Sequence, residues 1–267
     1  MPINNYTLHR ARVVKNDEFY TQYDDVKKEC DNYMPHFFNK IIYCNCDTDD
    51  SAFVKYFLDL KARGKIRDVI WSGGLGGLDF RSDAAVAILK RADIVVTNPP
   101  FSLFREFIDL LMEYDKQFLI IGNINAVSYQ NMDNYIKDNK VWVGIQSMGS
   151  MRFNTPDGNI TGIPTVWFTN IRHNHQRGII LNKNYYGNES AYPQYDNADA
   201  INVGRVSDIP SDYFGIMGVP ITFACKYNPG QFEWLGADYK FTNNKKRGQI
   251  NNQTLYARVF IRRRCNN

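Results

Sequence analysis

The sequence predicts an α/β fold, doubly wound around a mainly parallel sheet, and three observations carry that expectation. Four short apolar runs, at 40–46, 68–71, 93–97 and 118–121, suit buried strands. Between them apolar residues recur at helical spacing, so strand and helix alternate. Past Asn170 the alternation fades, and Tyr, Asn, Gly and Pro dominate an appended carboxy-terminal region of short strands and loops. The expected division is 1–175 and 176–267.

The stretch before residue 40 is polar and aromatic, with a helix expected over 24–33. The run 40–46 stops at Asp47-Thr48-Asp49-Asp50-Ser51, where Ser51 or Asp50 fits a helix N-cap. Phe53, Val54, Tyr56, Phe57 and Leu60 then form the apolar side of a helix that ends at Gly64. After the strand 68–71 comes the loop Ser72-Gly73-Gly74-Leu75-Gly76-Gly77, and helical spacing returns at Ala84, Ala85, Ile88 and Leu89. The strand 93–97 runs straight into Asn98-Pro99-Pro100-Phe101. Helices are expected over 103–114 and 132–137, and a strand over 141–145. A hairpin is expected to pair Met151-Arg152-Phe153 with Thr165-Val166-Trp167-Phe168 around Asp157-Gly158. Ligands of such sheets gather beyond the carboxyl ends of the strands, where Asp47, Asp79 and Asn98 all fall.

A chain of 267 residues, 44% hydrophobic and 22% charged, has the composition of a soluble globular protein with a sizeable core. Its net charge of +4 does not announce a nucleic-acid binder. Yet 240–264 holds eight Lys and Arg against no acid, a block able to neutralise phosphates or else a solvated basic tail. Five cysteines without paired spacing argue against a disulfide framework or a zinc knuckle, and no metal site is expected. With no signal peptide and no apolar run of membrane-spanning length, a reduced cytoplasmic setting is expected, with no membrane partner.

Asn98-Pro99-Pro100-Phe101 is the segment with chemistry in it. A strand cannot continue through two prolines, so the chain turns and presents Asn98 at the sheet edge. The exocyclic amine of adenine is a poor nucleophile because its lone pair is conjugated with the ring. Two acceptors on its hydrogens redirect that pair toward an electrophile. The Asn98 amide oxygen is one acceptor and the Pro99 carbonyl the other, a carbonyl held in place by the following proline. Phe101 would stack on the base, worth about 1–3 kcal/mol. In-line displacement at a sulfonium methyl suits this arrangement, since positioning supplies most of the catalysis and no metal is needed. The plain alternative is a strand exit, because Asn-Pro and Pro-Pro are ordinary turn formers. The strand before the turn and the helix after it favour the catalytic reading.

Asp17-Glu18-Phe19-Tyr20-Thr21-Gln22, Ile42-Tyr43-Cys44-Asn45-Cys46-Asp47 and Asp79-Phe80-Arg81-Ser82 occur in that order. They are followed by the stretches 92–106, 118–123, 167–170, 195–203, 218–223 and 256–261. Together these segments resemble the EcoRI-type family of adenine-specific DNA methyltransferases over nearly the whole chain. The resemblance implies the methyltransferase form of the doubly wound fold, with S-adenosylmethionine as methyl donor. It implies that Phe19, Tyr20 and Thr21 lie over the donor's methionine end, the Thr21 hydroxyl at its carboxylate. Cys44 and Asp47 match the first donor loop, Asp47 holding the amino group, and Asp79 and Phe80 match the segment that meets the donor's adenine. Asn98, Pro99, Pro100 and Phe101 match the catalytic turn, with Asn98 also beside the donor.

Two departures qualify the match. Cys44-Asn45-Cys46-Asp47 stands where most adenosylmethionine enzymes have a glycine-rich turn, and Ile70-Trp71-Ser72-Gly73 lacks the acid that many use to grip the ribose. The stretch between Trp71 and Asp79 is also shorter than the family leads one to expect, which implies a vestigial third strand and a more open donor pocket.

An adenine in a duplex hides its amine, so a DNA substrate implies flipping the base at a cost of a few kcal/mol. Lys245, Lys246, Arg247, Arg258, Arg262 and Arg264 are the candidate DNA-binding residues, the last three alternating so as to share one face of a strand. Asn243, Asn244, Gln249, Asn251, Asn252 and Gln253 have side chains suited to adenine edges. Double-stranded DNA is the expected partner, with room for a cognate restriction endonuclease that acts on the same site without contact. One rival keeps the motif but changes the substrate to an amine in RNA or a protein glutamine. Another is a non-catalytic relative that occupies DNA sites without modifying them.

Overall fold

The computed structural model describes residues 20–73, 78–146, 151–154, 160–173, 178–243 and 245–265. They fall into two compact units, one within 20–123 and 143–172, the other within 124–142 and 173–265.

The first unit begins with β1 (Tyr20–Thr21), α1 (Tyr23–Cys30) and α2 (Met34–Phe37). Alternation follows: β2 (Ile41–Cys44), α3 (Ala52–Ala62), β3 (Asp68–Trp71), α4 (Asp83–Arg91), β4 (Ile94–Thr97), α5 (Phe104–Glu113) and β5 (Gln117–Asn123). After the excursion into the second unit come β6 (Trp142–Val143), β7 (Met151–Asn154), β8 (Ile160–Ile163) and β9 (Thr165–Thr169). Six strands form one sheet in the order β3-β2-β4-β5-β9-β6. The neighbours from β3 to β5 are parallel and β9 returns antiparallel to β5. Among the described residues no strand lies beyond β3.

The local signals explain these elements. The Ser51 hydroxyl accepts from the Val54 N–H at 3.2 Å and the Ser82 hydroxyl from the Ala85 N–H at 3.3 Å, so α3 and α4 each start on a serine N-cap. Helix α5 buries Phe104, Phe107, Ile108 and Leu111, an i, i+3, i+4, i+7 stripe. Its first ring needs a glycine opposite, since a Cβ on Gly122 of β5 would run into Phe104. Every residue of β4 and β9 is buried, as covered interior strands require.

That burial also corrects the expected hairpin. Strand β7 pairs with β8, not with Thr165–Thr169, and β9 pairs instead with β5. A strand buried at all five residues belongs inside a sheet, whereas β8 alternates exposed and half-buried residues and suits a marginal position. Strand β7 pairs on its other side with β1, matching Tyr20 to Asn154 and Thr21 to Phe153.

A buried carboxylate ties α1 to the chain after β6. Glu29 accepts from the Tyr33 hydroxyl at 3.0 Å and from the backbone N–H groups of Ile145 and Gln146 at 2.8 and 2.7 Å. Burial pushes its pKa up despite those donors. Gly144 leaves the room, because a Cβ there would strike the Glu29 carboxylate and come within 2.7 Å of Trp167.

The second unit contains α6 (Gln130–Lys137), β10 (Ile201–Asn202), β11 (Ile216–Pro220), β12 (Phe232–Ala237), β13 (Gln249–Ile250), β14 (Gln253–Thr254) and β15 (Arg258–Arg263). Four of the strands form a sheet in the order β10-β11-β15-β12, and β13 pairs with β14 alone. Asp133 of α6 is fully buried, accepts from the Trp234 indole at 2.7 Å and pairs with Lys240 at 2.5 Å. These contacts bind 124–142 to the carboxy-terminal part of the chain, an association that composition past Asn170 does not announce. Tyr195 lies against Gly218 and Gly248, either of whose missing Cβ atoms would overlap its ring, and its hydroxyl donates to Asn202 at 3.0 Å. Among the described residues no helix is long and apolar enough to cross a membrane, and no cluster of His, Cys, Asp or Glu could hold a metal ion.

Candidate active site

The site is built on the carboxyl ends of β2, β3 and β4. Past β2 the Asp47 N–H donates to the Cys44 carbonyl at 3.3 Å, which folds the loop back and buries the Asp47 side chain. Thr97, the last residue of β4, donates its hydroxyl to Asp47 Oδ2 at 2.6 Å and accepts weakly from the Cys46 N–H at 3.4 Å. Burial pushes the Asp47 pKa up to about 7, although the hydroxyls of Thr97 and Ser51 pull it down. No described cation pairs with this carboxylate.

The end of β3 presses on the same loop. A Cβ on Gly73 would lie 2.6 Å from both the Asp47 carbonyl oxygen and the Cys46 carbonyl carbon, so only glycine lets the two backbones approach this closely. Ser72 bonds the Tyr43 hydroxyl at 2.6 Å and donates to the Asn45 carbonyl at 2.9 Å, and its own carbonyl accepts from the Leu78 N–H at 3.0 Å. Cys44 is fully buried in the core beneath the loop, where burial raises its thiol pKa well above the usual value. It contributes a carbonyl to the turn.

Beyond Thr97 the chain turns at Asn98-Pro99-Pro100. The Pro100 carbonyl accepts from the Leu103 N–H at 3.0 Å and starts a short 3₁₀ turn over Phe101–Leu103, which leads into α5. The Asn98 amide oxygen is buried. Phe101 packs edge-on against Phe153 of β7, with ring centroids 6.4 Å apart and planes at 84°. Phe153 is fully buried and backs Phe101 from the side of the β1-β7-β8 sheet. Sequence alone assigns Phe153 no role, because one aromatic in a four-residue strand carries no signal until its partners are known.

Through the same sheet Thr21 sits opposite Phe153, and its hydroxyl oxygen is buried with no hydrogen-bond partner among the described residues. Tyr20 is half exposed at 50%. Phe19 lies outside the described residues. Asp79 and Phe80 behave differently from one another. The Asp79 carboxylate is gripped by Arg81 at 2.8 and 2.6 Å, and the same guanidinium reaches Glu106 at 2.7 Å. Phe80 is buried edge-on against Phe107 with centroids 5.1 Å apart.

These residues fit a donor with an amino-acid end. A buried carboxylate without a cation is matched by an ammonium, and a buried hydroxyl without a partner by a carboxylate. Asp47 and Thr21 offer that pair within the first unit.

The six basic candidates lie in the second unit and differ in how they are engaged. Arg258 donates to Asn202 at 3.3 Å, Arg262 faces Glu233 at 3.6 Å, and Arg264 donates to the Pro229 carbonyl at 2.8 Å. Lys245, Lys246 and Arg247 are exposed, with Arg247 lying 5.7 Å over the Tyr256 ring. Asn244 lies outside the described residues.

Comparison with known proteins gives a consistent result. A profile of the family described as "Adenine-specific methyltransferase EcoRI" matches residues 7–72 and 59–264. The Type II methyltransferase M.EcoRI of Escherichia coli is 40% identical, covering 97% of this chain and 96% of its own length. M.MgeORF184P of Mycoplasma genitalium is 36% identical over 96% of this chain and 98% of its own, and M.MpnI of Mycoplasma pneumoniae 35% over 97% and 98%. The M.EcoRI alignment runs over 319 positions, of which 97% of these 267 residues fill about 259, leaving about 60 with no residue here.

Proposed function

The chain belongs to the family of the adenine-specific methyltransferase EcoRI and is a site-specific DNA adenine methyltransferase that uses S-adenosylmethionine, and we propose that Asn98–Phe101 carry out the transfer on an adenine swung out of the duplex. The observation that supports these roles is the Thr97 bridge. It joins the carboxylate suited to the donor's ammonium to the residue just before the catalytic turn.

The donor supplies a methyl group on a sulfonium centre. Asp47 would hold its ammonium and Thr21 its carboxylate. Asn98 Oδ1 and the Pro99 carbonyl accept the two amine hydrogens and turn the lone pair toward the methyl carbon. Phe101 stacks on the purine, and Phe153 holds Phe101 edge-on. The donor would supply its methyl group to the amine nitrogen, the S–C bonding pair would remain on the departing thioether, and one amine proton would pass to water. No acid lies between Trp71 and Asp79 in this chain, and Arg81 already occupies Asp79. The donor is therefore held mainly by its methionine end, in a pocket more open over the sugar.

The second unit supplies the contacts to DNA, and phosphate binding and stacking together offset the cost of flipping. A cognate endonuclease would share the sequence rather than touch this chain, and both would act in the cytoplasm beside the DNA. Expressing the chain in a host without adenine methylation and sequencing its DNA for methyladenine tests the assignment. One methylated sequence throughout the genome is expected. Unmodified DNA alongside newly methylated ribosomal RNA would transfer the assignment to the RNA rival.

A further inference from the structure

The second unit presents a hairpin whose frame is fixed without its exposed side chains. Strands β13 and β14 are joined by Asn251-Asn252, with φ of 49° and 61°, the left-handed pair that suits a two-residue hairpin turn. The backbone is tied down by Asp196 and Asn197. The Asp196 N–H donates to the Gln249 carbonyl at 2.9 Å, and the Asn252 N–H donates to the Asp196 carboxylate at 2.7 Å. Asn197, itself buried, accepts from the Gln249 N–H at 2.9 Å and donates to the Arg247 carbonyl at 3.1 Å. Gly248 lies against the Tyr195 ring. Asn251, Asn252, Gln253 and Thr254 remain exposed, as do Lys245, Lys246 and Arg247 at the foot.

We propose that this hairpin enters the major groove of the substrate duplex and reads its base edges with Asn251, Asn252 and Gln253, while Lys245 and Lys246 sit on flanking phosphates. The inference rests on the DNA methyltransferase reading above. A two-stranded ribbon fits the major groove, and amide side chains pair with the N6 and N7 edge of adenine. The charge lies at the foot, where phosphates would be, and the uncharged amides lie at the tip, where bases would be. The fixed frame means little ordering is needed on binding.

The test uses the full-length protein on a random-sequence duplex library, with methylated positions sequenced. Asn251→Gly and Asn252→Gly keep a left-handed backbone that glycine adopts freely, and Gln253→Ala removes the third amide. The triple variant should lose at least about tenfold in discrimination between the site and its one-base neighbours. Its thermal midpoint and donor binding should not change. Lys245→Ala with Lys246→Ala should instead weaken binding to all sequences alike and flatten the log–log salt slope by about 1.8. Wild-type discrimination in the triple variant, or an unchanged salt slope in the lysine pair, overturns the inference and leaves the methyltransferase reading intact. Should the triple variant fold poorly, Gln253→Ala alone carries the same test at an exposed position. A wild-type protein that modifies no duplex removes the premise and the inference together.

Discussion

The hydroxyl of Thr97 donates to the carboxylate of Asp47 at 2.6 Å across two neighbouring parallel strands. One residue further along the chain lies Asn98. In the proposed mechanism the donor's amino group and the adenine's amine are both referred to this strand end, and the two roles can be separated experimentally.

In the proposed mechanism Asn98→Ala removes an acceptor needed only while the new bond forms. Methyl transfer should fall by roughly 10²–10³-fold, on the scale of losing one preorganised hydrogen-bonding group. Donor binding, followed by calorimetry, should stay within a few fold. Turnover near the wild-type rate would remove Asn98 from the reaction.

In its proposed role Asp47 makes donor binding pH-dependent. Its pKa of about 7 lies above the ordinary 3.8, so between those values the folded chain keeps a proton that the unfolded chain has released. Stability from this group is full below pH 3.8 and is lost as pH rises through about 7. At 1.36 kcal/mol per unit the loss is at most about 4 kcal/mol. Asp47→Asn should therefore match or exceed wild-type stability at pH 8 and show no gain near pH 4, read by denaturant melts. The same substitution should weaken donor binding at pH 8 by roughly 10- to 100-fold. Wild-type donor affinity should rise as pH climbs from 5 to 7; a flat profile would count against Asp47 as the ammonium partner.

Gly73→Ala puts a methyl group 2.6 Å from the backbone of the Asp47 loop. Backbone cannot rotate away as a side chain can, so the loop must move. A cost of about 1–3 kcal/mol is expected, together with weaker donor binding. A variant with unchanged melting and unchanged donor affinity would show that the two loops are not packed as described.

Glu29→Ala leaves the N–H groups of Ile145 and Gln146 and the hydroxyl of Tyr33 without their acceptor. Each buried orphan costs about 1–3 kcal/mol, so this should be among the most damaging single changes in the first unit. Glu29→Gln keeps an acceptor and should recover much of the loss. Equal melting of the two variants would argue that the cavity, rather than the hydrogen bonds, sets the cost.

The alternating core was legible because apolar runs and the Ser51 cap are local signals, and 68–71 is a strand with the expected bounds. The turn at Asn98-Pro99-Pro100 was legible for the same reason: two prolines after an apolar strand leave little choice. Pairings over distance were not. Nothing in the spacing says that β7 takes 160–163 as its partner, because that choice rests on β9 being buried on both faces. Phe153 stayed hidden for a related reason, since its neighbour Phe101 lies 52 residues earlier in the sequence. The grip of Arg81 on Asp79 is local, but a carboxylate two residues before an arginine is too ordinary a pattern to read without coordinates.

Tyr195 touches the positions of Gly218 and Gly248, which lie 30 residues apart in sequence. One ring thus excludes side chains at two places. Any homologue that shrinks the residue at 195 would release both glycines at once, while one that keeps the ring can change neither. Phenylalanine at 195 would preserve this constraint and surrender the hydroxyl's bonds to Asn202 and Arg258. The three positions should therefore drift together through evolution as a single heritable unit.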